Sequence, residues 1–89
     1  MYTPVFSSKF KVDYKKASTS GHGTKDVDEV IRLLAAELSL PASHRDHALK
    51  GKWRTYRECH VRPDLLLIYK VQGEYLMLAR LGSHAELFE

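Results

Sequence analysis

Residues 53–81, WRTYRECHVRPDLLLIYKVQGEYLMLARL, decide the fold. They hold three apolar-rich stretches separated by two turn signals, Arg62–Pro63–Asp64 and Gln72–Gly73–Glu74. Residues 53–61 alternate: Trp53, Thr55, Cys59 and Val61 fall on one face, and Arg54, Tyr56, Glu58 and His60 on the other. Arg57 is the one break in the apolar face. Residues 65–69, LLLIY, form an unbroken apolar run, which suits a central strand covered on both sides. Residues 75–81 supply the third strand. Three strands joined by short turns make an antiparallel meander.

Upstream, Val27, Val30, Ile31, Leu34, Ala35 and Leu38 recur at i, i+3, i+4, i+7 and predict a helix that Thr24 can cap and Pro41 ends. Asp26, Asp28 and Glu29 lie in its first turn, where the helix dipole favours negative charge. An earlier helix, capped by Ser7 or Ser8 and running to about Ala17, places Phe10, Tyr14 and Ala17 together. Residues 2–6 can form a first strand, and Pro4 directs it to a sheet edge. The expected architecture is α+β: a compact antiparallel sheet with two N-terminal helices packed on one face and the other face partly open.

The chain has 89 residues, enough for one domain, residues 1–89, and one modest core. No apolar stretch approaches the ~18 residues that span a bilayer, and the N-terminus lacks the apolar core of a secretory signal. A cytoplasmic protein without a membrane partner is expected. Cys59 is the single cysteine, so no internal disulfide forms, and a small apolar strand residue is its ordinary role. The net charge of +3 is unevenly spread: residues 9–16 carry +3 and residues 41–70 carry +4, while residues 17–40 and 71–89 are each −2. Basic charge gathers around the histidines, as a polyanionic ligand would require, although charge runs are also ordinary solvated surface.

In an up-down-up meander the first strand ends where the second begins, and the third ends at that same edge. His60, Asp64 and His84 therefore converge. His47 precedes the meander and belongs nominally to the opposite edge; bringing it in needs the connector to fold back, which Gly51 permits. Imidazoles and a carboxylate ringed by Arg and Lys suit acid–base chemistry on a phosphodiester. Cleaving RNA by transesterification needs a base for the 2′-hydroxyl proton, an acid for the leaving 5′-oxygen and cations for the phosphate. Histidine, with an unperturbed pKa of ~6.5, serves both transfers. Arg80, Arg62 and Lys50 are the candidate phosphate ligands. Taken singly, each residue has an ordinary role: Asp64 in a turn, His84 at a tail, His22 in a glycine-rich loop. Trp53 and Tyr56 read as packing residues. His44-x-x-His47 offers two metal ligands, but there is no second cysteine and no HExxH, so neither metal nor other cofactor is expected.

DHALKGKWRTYRECHVRPDLLLIYK (residues 46–70) with LARLGSHAELF (residues 78–88) resembles the YafQ-type branch of the RelE/ParE toxins of bacterial type II toxin–antitoxin pairs. The spaced motifs DHxLxGxW, YRxxHxxPDxLLIY and RxGxHxxLF occur in order. The resemblance implies a RelE-like fold, an endoribonuclease acting on mRNA in the ribosomal A site, and inhibition by a cognate antitoxin. It implies catalytic positions at His47, His60, Asp64 and His84, a functional C-terminal aromatic at Phe88, and a phosphate ligand at Arg80. Leu65 replaces the tryptophan common after the Pro-Asp pair, and Leu81–Gly82–Ser83 replaces Thr-Gly-Thr. Two other readings remain open: a nonenzymatic toxin of the ParE branch, which shares the fold without the histidine cluster, and a plain basic RNA-binding module. The antitoxin is expected to carry an acidic segment.

Overall fold

The computed structural model describes residues 1–88. In chain order the elements are β1 (Thr3–Phe6), α1 (Ser8–Ser18), α2 (Lys25–Ala35), β2 (His47–Ala48), β3 (Arg57–Arg62), β4 (Leu65–Gln72), β5 (Tyr75–Gly82) and α3 (His84–Phe88), with short 3-10 turns at Ala42–His44 and Gly51–Trp53. The five strands lie in the order β1-β5-β4-β3-β2.

The meander forms as expected. β3 and β4 pair antiparallel, with Cys59 opposite Leu67 and His60 opposite Leu66; β4 and β5 pair antiparallel, with Leu67 opposite Leu81. The turn between β4 and β5 spans Gly73 and Glu74, and Gly73 adopts φ 61°, a left-handed conformation that costs glycine little. One residue in two along the strands faces the helices. Cys59, Val61, Leu67, Tyr69, Leu76, Leu78 and Leu81 bury there against Phe10, Val27, Val30 and Ile31. Each large side chain sealed in this layer contributes about 1.5–3 kcal/mol relative to exposure. Leu66, Ile68 and Leu87 form a smaller buried cluster on the opposite face, roofed by Leu49, Trp53, Tyr56, Ala79 and Phe88. The LLLIY strand is thus covered on both sides.

Four features depart from the sequence reading. β1 sits at the sheet edge, as Pro4 indicated, but pairs parallel with β5, so the sheet is mixed. Pairing direction between strands some seventy residues apart leaves no local signature. α2 stops at Ala35, because Glu37 takes φ 61°, and Leu38 is left 52% exposed. Thr24 occupies the α2 N-cap without a side-chain cap bond; its hydroxyl instead meets Tyr14, whose own hydroxyl donates to Asp28 at 2.7 Å. Finally, the first meander strand begins at Arg57, not Trp53: residues 51–56 fold into tight turns, with Leu49 N–H donating to the Tyr56 carbonyl. That turn lets His47–Ala48 pair back on β3 as a short edge strand.

Ser7 caps α1 as expected, its Oγ accepting from Phe10 N–H at 2.9 Å and donating to the Ala79 carbonyl at 2.7 Å. Beyond Phe6 the helix takes over the β5 edge: Asp13 accepts from Leu81 N–H at 3.0 Å.

Candidate active site

The site is built on β3. Its alternation sends Cys59 and Val61 into the helix-covered core and puts Glu58 and His60 on the opposite face. Antiparallel register sets His47 of β2 directly across from Glu58. The result is a carboxylate between two imidazoles: Nε2 of His47 and Nε2 of His60 each lie 3.6 Å from Oε1 of Glu58. Glu58 is only 6% exposed, whereas the His47 side chain is 51% exposed and that of His60 20%. The connector therefore does bring His47 in, through two residues of strand and not by crossing the sheet face.

A backbone acceptor holds the His47 ring. Nδ1 of His47 lies 2.6 Å from the Arg45 carbonyl. A carbonyl only accepts, so Nδ1 carries the proton and Nε2 is the nitrogen left for chemistry. Arg45 adopts φ 50°, the turn that brings its carbonyl to the ring. Asp46 is clamped by Arg57 Nε at 2.9 Å and by the Tyr69 hydroxyl at 2.6 Å, fixing the chain immediately before His47. Burial, reinforced by the pairing with Asp46, pushes the Tyr69 phenol well above its ordinary range.

His84 opens α3 at the same end of the sheet as His60, since His60 pairs with Leu66 and Leu66 with Gly82. Its ring packs at a 40° tilt against Phe88, centroids 5.0 Å apart, while Phe88 packs on the Leu66–Ile68–Leu87 cluster. α3 begins with a capping box: Glu86 N–H donates to Ser83 Oγ at 3.2 Å and Ser83 N–H to Glu86 Oε1 at 2.8 Å. Lys16 of α1 pairs with the same carboxylate, which is thereby held down to about 2. A Cβ on Gly82 would stand 3.1 Å from Glu86 Oε1 and 3.3 Å from Leu87, so the close approach of α3 to β5 favours glycine.

The remaining expected site residues are placed differently. Asp64 is exposed in the β3–β4 turn and lines a cleft of about 500 Å³ with Lys16, His22 and Arg62; no hydrogen bond joins it to a histidine among the described residues. Arg80 is held in a two-pronged pair by Asp13, at 2.8 and 3.2 Å, and Arg62 by both oxygens of Asp26, at 2.9 and 3.0 Å. Lys50 is exposed beside β2. Cys59 is buried and its thiol pushed up to about 12 by desolvation, so it is a packing residue. The Nδ1 atoms of His44 and His47 are given to the carbonyls of His60 and Arg45. Among the described residues no group of three or more His, Cys, Asp or Glu is arranged to hold a metal ion. The residue that sequence reasoning missed is Glu58. Its signal was its spacing two before His60, which put both on one face; its burial beside His47 required the tertiary pairing.

Fold and site together define a small α+β protein of RelE-like architecture with paired histidines on its less covered face. A profile of the YafQ toxin family, bacterial toxins of type II toxin–antitoxin systems, matches residues 2–89, and the chain belongs to that family. It is 38% identical over 84 residues to the mRNA interferase toxin YafQ of Escherichia coli K12, covering 93% of this chain and 91% of that one. It is 43% identical over 60 residues to a putative YafQ toxin of Haemophilus influenzae, 63% of this chain and 59% of that one. Among solved structures it superposes on the toxin of the E. coli DinJ–YafQ complex with a TM-score of 0.91 at 36% identity, both chains covered in full. A copper-bound mutant toxin from Helicobacter pylori gives 0.94 at 42% identity, with 99% of this chain and all of that one covered. No helix among the described residues is long and apolar enough to cross a membrane.

Proposed function

We propose that this chain is an mRNA interferase, an endoribonuclease that cuts mRNA on the cytoplasmic ribosome and is held inactive by a cognate antitoxin. The observation that carries the reading is the approach of His47 and His60 to one buried carboxylate, Glu58, on the less covered face of the sheet. A proton taken up by an imidazole there creates a cation 3.6 Å from a compensating anion. His60 is accordingly the base that removes the 2′-hydroxyl proton. The 2′-oxygen attacks phosphorus, the bond to the 5′-oxygen breaks, and His84, on the far side of Leu66, supplies that oxygen's proton. The products are a 2′,3′-cyclic phosphate and a 5′-hydroxyl. His47 backs Glu58 from the other side. Phe88 positions His84 by ring contact, and Lys50 is the exposed cation for the substrate backbone. The likeness to relatives named mRNA interferase toxins, and to a toxin solved with DinJ, supports the substrate and the antitoxin partner.

The experiment is mRNA cleavage in a reconstituted translation system, mapped by primer extension, for wild type, His60→Ala and His84→Ala, with and without ribosomes. Cuts that need ribosomes and vanish in both variants are expected. Cuts on naked RNA would remove the ribosome from the mechanism, and no cuts by folded wild type would remove the nuclease.

A further inference from the structure

β2 reaches only Arg57 and Glu58 of β3, so the outer edge of β3 at His60 is met by something else. The 3-10 turn Ala42–His44 takes that place, and the His44 ring donates from Nδ1 to the His60 carbonyl at 2.7 Å. Beside this contact opens a cleft of about 380 Å³ lined by Ser43, His44, Arg45, His60 and Arg62, together with Val61 and Pro63. Among the described residues no carboxylate lines it. The other main clefts are different: Asp13, Asp28 or Glu37 lines each of them.

We propose that this cleft is a subsite for a backbone phosphate of the RNA, next to the scissile phosphate; it rests on the endoribonuclease reading above. Three observations carry it. His44 has given Nδ1 to a carbonyl, which leaves Nε2 as its one nitrogen for a ligand; in the imidazolium form both nitrogens donate. Arg45 is exposed, stands at a left-handed turn, and makes no ion pair among the described residues. Arg62 is held from behind by both oxygens of Asp26, which fixes a guanidinium at the cleft wall with its side chain 24% exposed. The two guanidiniums, joined by His44 Nε2–H in the imidazolium form, match the oxygens of a phosphodiester. Among the described residues no aromatic ring other than the two imidazoles borders the cleft, so it lacks the platform that stacking of a base would need, and the ligand is backbone and not base. Because the cleft shares His60 with the candidate active site, the phosphate it takes is a neighbour of the one being cut.

The test uses a short RNA with every 2′-hydroxyl methylated, which cannot undergo transesterification. Its binding is measured against salt for wild type, Arg45→Asn and His44→Gln. Asparagine tolerates the left-handed backbone, and a glutamine amide can still donate to the His60 carbonyl, so both variants are built to keep the fold, which thermal melts check. Each should weaken binding roughly 5- to 10-fold, and Arg45→Asn should flatten the slope of log K against log salt by about 1. Inorganic phosphate should shift the His44 ring resonances in wild type. An unchanged dissociation constant and salt slope in folded Arg45→Asn, or a His44 ring blind to phosphate, overturns the subsite. Cleavage by wild type is scored separately. If wild type cuts mRNA while these variants bind normally, only the subsite fails; if wild type never cuts, the nuclease reading fails and the binding comparison still stands.

Discussion

His47 and His60 share one oxygen. Oε1 of Glu58 is 3.6 Å from Nε2 of each ring, although the two histidines lie on different strands and thirteen positions apart in the chain. That distance is longer than a direct hydrogen bond, so the groups couple through charge when a ring is protonated. A carboxylate this buried costs stability unless a cation accompanies it, and the site supplies two candidates.

Glu58→Gln therefore separates function from stability. The amide keeps the shape and removes the charge. Cleavage should fall on the order of 10- to 100-fold, within the range of general acid–base contributions. The melting temperature should hold or rise, because a buried ion is lost. Equal cleavage by the variant would mean that the carboxylate is not part of the chemistry.

Asp13→Ala should destabilise the fold. It leaves the Arg80 guanidinium without its two-pronged partner and the Leu81 N–H without its acceptor, at the stretch of β5 edge that no strand covers. A loss of about 1–3 kcal/mol in urea unfolding is expected. Arg80→Ala should cost a similar amount; an effect on cleavage alone would instead give Arg80 a direct role with phosphate.

The pairing of Glu86 with Lys16 gives a pH signature. The hydrogen bond from Lys16, then that from Ser83 N–H, holds the Glu86 carboxyl down to about 2 against an ordinary 4.5. A folded-state value below the unfolded one means that the stabilisation is present above pH 4.5 and is lost as the pH falls toward 2. The pair is exposed, so solvent screening keeps its contribution small. Thermal melts of wild type and Glu86→Gln should differ at pH 6 and converge at pH 2. A constant gap across that window would assign the effect to the helix cap alone.

Cys59 should resist alkylation. It is wholly buried, and its thiol is pushed up to about 12, so little thiolate is present at pH 8 and a reagent has no path to it. Iodoacetamide labelling should follow global unfolding; rapid labelling of the native protein would show that the β3 region opens locally.

Much of this protein was legible as a string. The 3.6-residue period marked α1 and α2, the unbroken run 65–69 marked the doubly covered β4, and alternation put Glu58 with His60 on the face away from Cys59 and Val61. Side-chain period is a property of neighbours in sequence, so it can be read there. The spaced motifs also carried the family. What only the tertiary structure decided is pairing at a distance: the parallel seat of β1 on β5, the return of His47 across from Glu58, and the capture of Arg80 by Asp13 and Arg62 by Asp26. Those partners lie between 11 and 72 positions apart. Their meeting depends on where turns at Glu37, Arg45 and Gly51 send the chain and on which loop closures the core rewards, which no local pattern encodes. The sequence determined which side chains were available for chemistry; the fold decided that the carboxylate standing between the histidines is Glu58.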